Sequence, residues 1–442
     1  MSTVRLVRAG ELREILGGRD FRRLYATRLA SQLTDGVFQV ALAGYVFFSP
    51  ERQTTAGKAA AAFAVILLPY SVLGPFAGVF IDRWRRRQIL VWTPVLRAVL
   101  VMLVAALVAA GQDGAGFFLG VLVVLGVNRF FLASLSAALP HVVRHDQLVT
   151  ANAFSVTSGT VIAFIGGGVG YLLRLMFGAG DHGTALILVA TAALFLLAGL
   201  IATTLPKGLL GPHPSEDALP GLGRPETPRM LEALRIVLDG LVDGGRHIAR
   251  RPQAALALAA ISFHRFLYGI VLIMTLLLCR NHFADDPDKG LETFALMLGV
   301  SGAGFFAAAL ITPPVVRRIS KQAWVAWLFG TAAVSLLVLG MPFAEAPWAV
   351  GAFVLGVVSQ GVKLCVDTTL LETIEDAYRG RVFAVYDMLF NAVFAAAAAV
   401  AATWLPADGR AGLTLLVVIV VYAAGALAYR SAAARRPAPA LQ

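Results

Sequence analysis

The chain has 442 residues, of which 58% are hydrophobic and only 14% charged, and its mean hydropathy is +0.76. A soluble domain is about one quarter charged, so this composition excludes an ordinary water-soluble fold and calls for lipid as the solvent of much of the surface. The formal net charge of +11 does not point to nucleic acid, because the basic residues punctuate apolar runs instead of gathering on one domain.

In chain order, residues 1–20 are polar and rich in Arg with no cleavable leader, so the first apolar run is expected to act as an uncleaved insertion signal. A hydrocarbon core about 30 Å thick needs roughly 20 apolar residues per helix. Such runs predict spans at 24–48, 57–80, 88–110, 116–138, 152–177 and 183–205, then at 254–279, 293–316, 322–342, 348–370, 381–404 and 410–430. The reading is an all-α integral membrane protein of twelve helices. It comprises a six-helix bundle over 1–205, a cytoplasmic connector over 206–252, and a second bundle with a short tail over 253–442.

Within the connector, Pro206 to Pro228 reads as flexible linker. From there to Arg251, Leu231, Leu234, Ile236, Leu238, Leu241 and Ile248 recur at helical spacing among charged residues. They predict an amphipathic helix on the cytoplasmic face. With the N-terminus inside, cytoplasmic segments hold 26 Lys/Arg and external loops six, and omitting the connector still leaves 19 against six. Both termini are therefore expected in the cytoplasm. Five Lys against 32 Arg, with abundant Ala and Gly, fits a GC-rich bacterial genome and hence a bacterial cytoplasmic membrane.

The halves show a faint repeat at an offset near 230. Leu125-Gly126-Val127 meets Leu355-Gly356-Val357. Gly74 through Arg87 meets Gly304 through Arg317 with Thr312 in the place of Asp82, and Asp35 aligns with Arg265.

Ionisable groups at bilayer depth cost several kcal/mol unless they face a partner or a polar pathway. Arg28, Asp35, Arg97, Arg129, Arg265, Lys363, Asp367 and Asp387 fall within the spans, as does His264. Gln32, Asp35 and Gln39 share a face of span 1. Asp35 is either a carboxylate that titrates during transport or a permanent partner of Arg129 or Arg265. Gln360, Lys363 and Asp367 share a face of span 10, either as a self-neutralising pair or as a solute contact. His264, Arg265 and Tyr268 lie within one turn of span 7 and are candidates for the solute pathway. Asp387 lies two turns from the cytoplasm and suits a gate or a structural pair. Five cations against three acids favour an anionic or acid-bearing solute, unless Arg28 or Arg97 snorkels to the surface.

His141 and His145 have the spacing of a zinc pair but lack a third ligand, so a solvated turn is expected and no metal. Gly166-Gly167-Gly168 and Gly170 lack the Lys of a phosphate loop and read as small residues for helix contact. Cys279 and Cys365 read as buried hydrophobes. No cofactor and no enzymatic constellation is expected.

The loop from Gly78 to Arg87 holds Asp82 and four arginines between spans 2 and 3. Its pattern, Gly-x-x-x-Asp-Arg-x-x-Arg-Arg, resembles the signature loop of the major facilitator superfamily of secondary transporters. With twelve spans in two related halves, the resemblance covers nearly the whole chain. It implies gating roles for Gly78, Asp82, Arg83, Arg86 and Arg87, with Asp82 acting near the cytoplasmic end of span 11, where Asp387 lies. Arg85 stands where the family usually has Gly. Arg129 matches the span-4 arginine associated with proton coupling, although the Gln and Gly that normally follow are absent. Span 5 resembles the glycine-rich antiporter motif without its Pro. Leu148 to Ala153 and Arg379 to Phe383 resemble the bacterial drug- and siderophore-efflux branch. The resemblance implies alternating access by a monomer, with protons exchanged for an exported drug, siderophore or related metabolite. A lipid or lysolipid flippase is the alternative, and a transport-inactive membrane sensor or polytopic enzyme is the alternative of another class.

Overall fold

A backbone surrounded by lipid must satisfy its own N–H and C=O groups, which leaves helices as the economical solution for such a sequence. The computed structural model describes residues 9–48, 57, 85–144, 147–210 and 230–434, and among them helices and turns appear without a strand. A short α1 (Ala9–Gly17) precedes α2 (Arg19–Phe47), and α3 (Arg86–Ala109), α4 (Ala115–Ala138), α5 (Leu148–Phe177) and α6 (Asp181–Thr203) follow. The connector helix is α7 (Met230–Arg250). Beyond it lie α8 (Pro252–Asn281), α9 (Pro287–Val316), α10 (Lys321–Ser335, prolonged by a π-helical turn over Leu336–Gly340), α11 (Glu345–Thr373), α12 (Asp376–Trp404) and α13 (Gly412–Ala434).

Ten of these helices are long and apolar enough to cross a membrane, and α2, with Arg28 and Asp35 in its interior, adds 29 residues at the place of predicted span 1. Helices α3 to α6 match predicted spans 3 to 6, and α8 to α13 match spans 7 to 12. Predicted span 2 beyond residue 57 lies outside the described residues, together with Gly78, Asp82, Arg83 and His145.

Local chemistry sets the helix ends. Asp286 accepts from the Asp288 backbone N at 3.1 Å and Ser320 from Ala323 N at 3.1 Å, each capping free N–H groups. Pro252 starts α8, where a missing N–H costs nothing. Gly178, at φ 93°, ends α5 with a backbone angle that a side chain disfavours.

The helices form two units, one holding α1 to α6 (α2 as far as Tyr45) and the other running from Val237 in α7 through α13. In the first, α3 packs along α4 and α6. In the second, α9 packs on α11, α10 on α13, and α8 on α11 and α12. Predicted spans 3 and 6 thus pair as 9 and 12 do, in keeping with the repeat.

Burial against lipid supplies little hydrophobic drive, so close packing at small residues has to hold such helices together. A Cβ on Gly36 of α2 would lie 2.0 Å from Ala163 O of α5, and one on Gly166 would lie 2.0 Å from Leu33 O. In the second unit Gly304 of α9 and Gly356 of α11 stand in the same relation, at 2.2 Å from Phe353 O and 2.1 Å from Ser301 O. The outward faces remain apolar, with Trp92, Leu103, Phe164, Met176, Phe306, Leu310 and Leu427 all exposed. A surface of that kind requires lipid.

Candidate functional site

The first unit carries a closed polar ring among three helices. Asp35 of α2 is paired with Arg97 of α3, whose Nη1 donates to Asn128 Oδ1 of α4 at 3.0 Å. Asn128 Nδ2 lies 3.4 Å from the second Asp35 oxygen. Phe195 of α6 lies beneath the guanidinium, 3.9 Å from Cζ to the ring centroid. Asp35, Arg97 and Asn128 are all buried.

The ion-pair partner is thus Arg97, in place of the expected Arg129 or Arg265. Snorkelling of Arg97 is also ruled out, since its side chain is only 1% exposed and held from three sides. Helix packing decided this: α3 lies along α4, which brings the middle of α3 to Asn128. Asn128 carried no charge to draw notice in the sequence. Arg97 was legible only as one of several cations in the first-half spans.

Among the other expected residues of this unit, Gln32 is half-buried and Gln39 exposed, one turn to either side of Asp35. Arg129 follows Asn128, turned about 100° around the helix, and is half-buried. Arg28 sits over a small pocket with Tyr25, Asn152 and Ser155.

Two arginines of the 78–87 loop, Arg86 and Arg87, bind within their own unit. Arg87 donates from Nε to Leu205 O at 2.6 Å and from Nη2 to Thr203 O at 2.8 Å, closing the C-terminus of α6. Arg86 Nη1 donates to Leu210 O at 3.1 Å and lies 3.2 Å from His141 Nε2. His141 therefore packs against a cation, and the described residues hold no group of side chains suited to a metal.

In the second unit His264 of α8 is 1% exposed. Its Nε2 shares a hydrogen bond with Ser359 Oγ of α11 at 2.7 Å and its Nδ1 one with the Tyr422 hydroxyl of α13 at 3.1 Å. This ties three helices together and leaves neither ring nitrogen for a solute. The adjacent Arg265 points elsewhere, its Cζ lying 4.1 Å from the Phe390 ring centroid and 4.4 Å from that of Phe394, both on α12. Tyr268 is buried and lines a small apolar cleft.

Lys363 and Asp367 form the i, i+4 pair, with the ammonium 5.7 Å from the Tyr386 ring centroid. Gln360, on the same face, is half-buried. Asp387 is exposed, and its backbone carbonyl accepts from Asn391 Nδ2 at 2.8 Å. Ser359, Phe390, Phe394 and Tyr422 went unread in the sequence, because uncharged residues in an apolar run give no sign of a polar neighbour.

Near α7, Arg381 pairs with Asp243 at 2.5 Å and the His247 ring stacks on Tyr378 at 4.0 Å. Arg251 donates to Thr373 O at 3.1 Å and pairs with Glu375. The connector helix is therefore clasped to the start of α12.

Comparison with known proteins places this architecture. The family model of the Major Facilitator Superfamily matches residues 26–400. Uncharacterized MFS-type transporters of Mycobacterium bovis and Mycobacterium tuberculosis are each 37% identical over 422 residues, covering 96% of this chain and 93% of theirs. Among solved structures, the nucleoside transporter NupG matches with a TM-score of 0.63 at 13% identity, over 93% of this chain and 98% of that one. A bacterial homolog of the human lysosomal transporter Spinster matches at 0.65 and 14%, over 95% and 99%. Those two likenesses concern the fold alone. The family match over most of the length, together with the mycobacterial relatives, identifies the chain as a multi-pass membrane transporter belonging to the Major Facilitator Superfamily.

Proposed function

We propose that this transporter exports a small amphipathic or acidic compound in exchange for protons, as an efflux antiporter of the drug or siderophore type. It works by alternating access as a monomer in a bacterial cytoplasmic membrane, with both termini in the cytoplasm. The observation that carries the reading is the buried ring of Asp35, Arg97 and Asn128. An intramembrane carboxylate is costly to keep and commonly serves as a proton relay.

A proton on Asp35 would cancel the charge that holds Arg97, and a buried cation left alone is strongly destabilising. Proton arrival therefore changes which contacts among α2, α3 and α4 are stable. A switch needs such a bistable element. The close Gly36–Gly166 contact of α2 with α5 supports the exporter assignment, because it uses the glycine-rich stretch that resembles the antiporter motif.

The test is transport by the purified protein in proteoliposomes under an imposed pH gradient, against panels of drugs, siderophores, organic acids and lysolipids. Gradient-driven movement of an amphipathic or acidic solute supports the reading. Movement of lysolipid alone would replace it with a flippase, and movement independent of the gradient would replace it with a facilitator.

A further inference from the structure

The start of α2 carries more positive charge than its neighbours neutralise. Arg19, Arg22, Arg23 and Ala26 fall at i, i+3, i+4 and i+7, on one face of the helix. With Ile201 and Thr204 at the end of α6 they line an open groove of about 400 Å³. Asp20 engages Arg23 at 3.1 Å, and Glu14, on the preceding α1, is taken by Arg144 at 3.0 Å. Arg19 and Arg22 have no ion-pair partner among the described residues.

Their place in the helix makes this charge unfavourable. The first turn is the positive end of the helix dipole, where cations are disfavoured and anions are held. Helix α2 begins at Arg19, so these guanidinium groups stand against the dipole, with Asp20 as the acid of that turn. An anion seated in the groove would satisfy both the arginine forks and the helix end.

The groove is also placed for a lipid. Residues 19–23 precede predicted span 1 and Thr204 falls at the close of predicted span 6, so it lies at the margin of the apolar layer. One turn deeper, Leu197 and Leu200 stand at i−4 from Ile201 and Thr204 on α6, and they are 49% and 64% exposed. Ala26 and Ala30 continue the α2 wall with small side chains. A phosphate among the arginines therefore has exposed apolar surface next to it, which a lipid uses and a free anion does not.

From this we infer that the groove binds an anionic glycerophospholipid, its phosphodiester held by Arg19, Arg22 and Arg23 and its acyl chains lying along Leu197 and Leu200. The site belongs to the lipid surroundings of the first unit and requires neither proton coupling nor any one transported solute.

The test is native mass spectrometry of the full-length protein in detergent, titrated with phosphatidylglycerol, phosphatidylcholine or glycerol 3-phosphate and read as the dissociation constant of the first bound molecule. The wild type should bind phosphatidylglycerol at least about tenfold more tightly than either of the others, since each basic residue at a membrane surface favours anionic lipid severalfold. Replacing the three exposed arginines together (Arg19→Gln, Arg22→Gln, Arg23→Gln) should weaken phosphatidylglycerol by at least about tenfold. Ala26→Trp keeps every charge and fills the groove, so it should weaken binding by a similar factor. The pair Arg317→Gln and Arg318→Gln, which removes exposed charge at the end of α9 in the other unit, should leave binding within about twofold.

Equal binding of phosphatidylcholine, or an undiminished affinity in the triple variant or in Ala26→Trp, would overturn the assignment. So would an equal loss in the α9 variant, which would reduce the effect to net charge, and so would glycerol 3-phosphate binding as tightly as the lipid.

Discussion

Asp35 and Arg97 meet across 62 residues of sequence as an ion pair whose side chains are 5% and 1% exposed, completed by Asn128 and floored by Phe195. Removing one member of such a pair leaves a buried charge alone and typically costs ~3–5 kcal/mol, whereas removing both can be nearly neutral. Arg97→Met alone should therefore lower the thermal melting temperature of the detergent-solubilised protein markedly. Adding Asp35→Asn should restore most of the loss. A double variant as unstable as the sum of the two single ones would contradict the pairing.

The Gly36–Gly166 contact makes a sharper steric prediction. Gly166→Ala places a methyl group where a backbone carbonyl of α2 already lies, so α2 and α5 must separate, at a cost of ~1–3 kcal/mol or more. Gly168→Ala, two residues along the same helix, meets nothing within 4 Å and should be neutral. Melting curves of the two variants side by side check this, and equal stability would refute the close approach.

Arg87 closes the end of α6 with two donors, so Arg87→Ala should cost ~1–3 kcal/mol through two carbonyls left without their charged partner. Arg85, exposed in the same basic cluster, should tolerate Ala with little change. Limited proteolysis around residues 203–210 should accelerate for Arg87→Ala and not for Arg85→Ala.

The clasp on α7 ranks its own contacts. The Asp243–Arg381 pair is half-exposed and is worth at most ~1 kcal/mol. A Cβ at Gly244, by contrast, would press at 3.0 Å on the Arg381 backbone. Hydrogen exchange over 237–250 should rise more for Gly244→Leu than for Asp243→Ala. The reverse order would show that charge, and not close packing, docks the helix.

Helices were legible because each apolar run had to cover the same thickness, and α3 and α4 begin and end within a residue or two of the lengths read from hydropathy. Gly166, Gly167 and Gly170 were legible as contact residues, since small side chains in a span have few other uses, whereas Gly168, read with them, meets no neighbour. Which cation neutralises Asp35 was not legible: Arg28, Arg97 and Arg129 look alike in a sequence, and only the packing of α3 against α4 brings Asn128 to Arg97. The roles of Phe390 and Phe394 were hidden for a related reason, because an aromatic residue that holds a guanidinium reads as one more apolar side chain.

The central claim is that solute and proton movement are coupled through Asp35. It is tested most directly in proteoliposomes enclosing a pH-sensitive dye, with a gradient of the best solute from the transport panel and no imposed pH gradient. The wild type should move protons against the solute flow, and Asp35→Asn should abolish the dye signal while still binding solute. Solute flux by the wild type without any proton flux, or an undiminished dye signal in Asp35→Asn, would contradict the account.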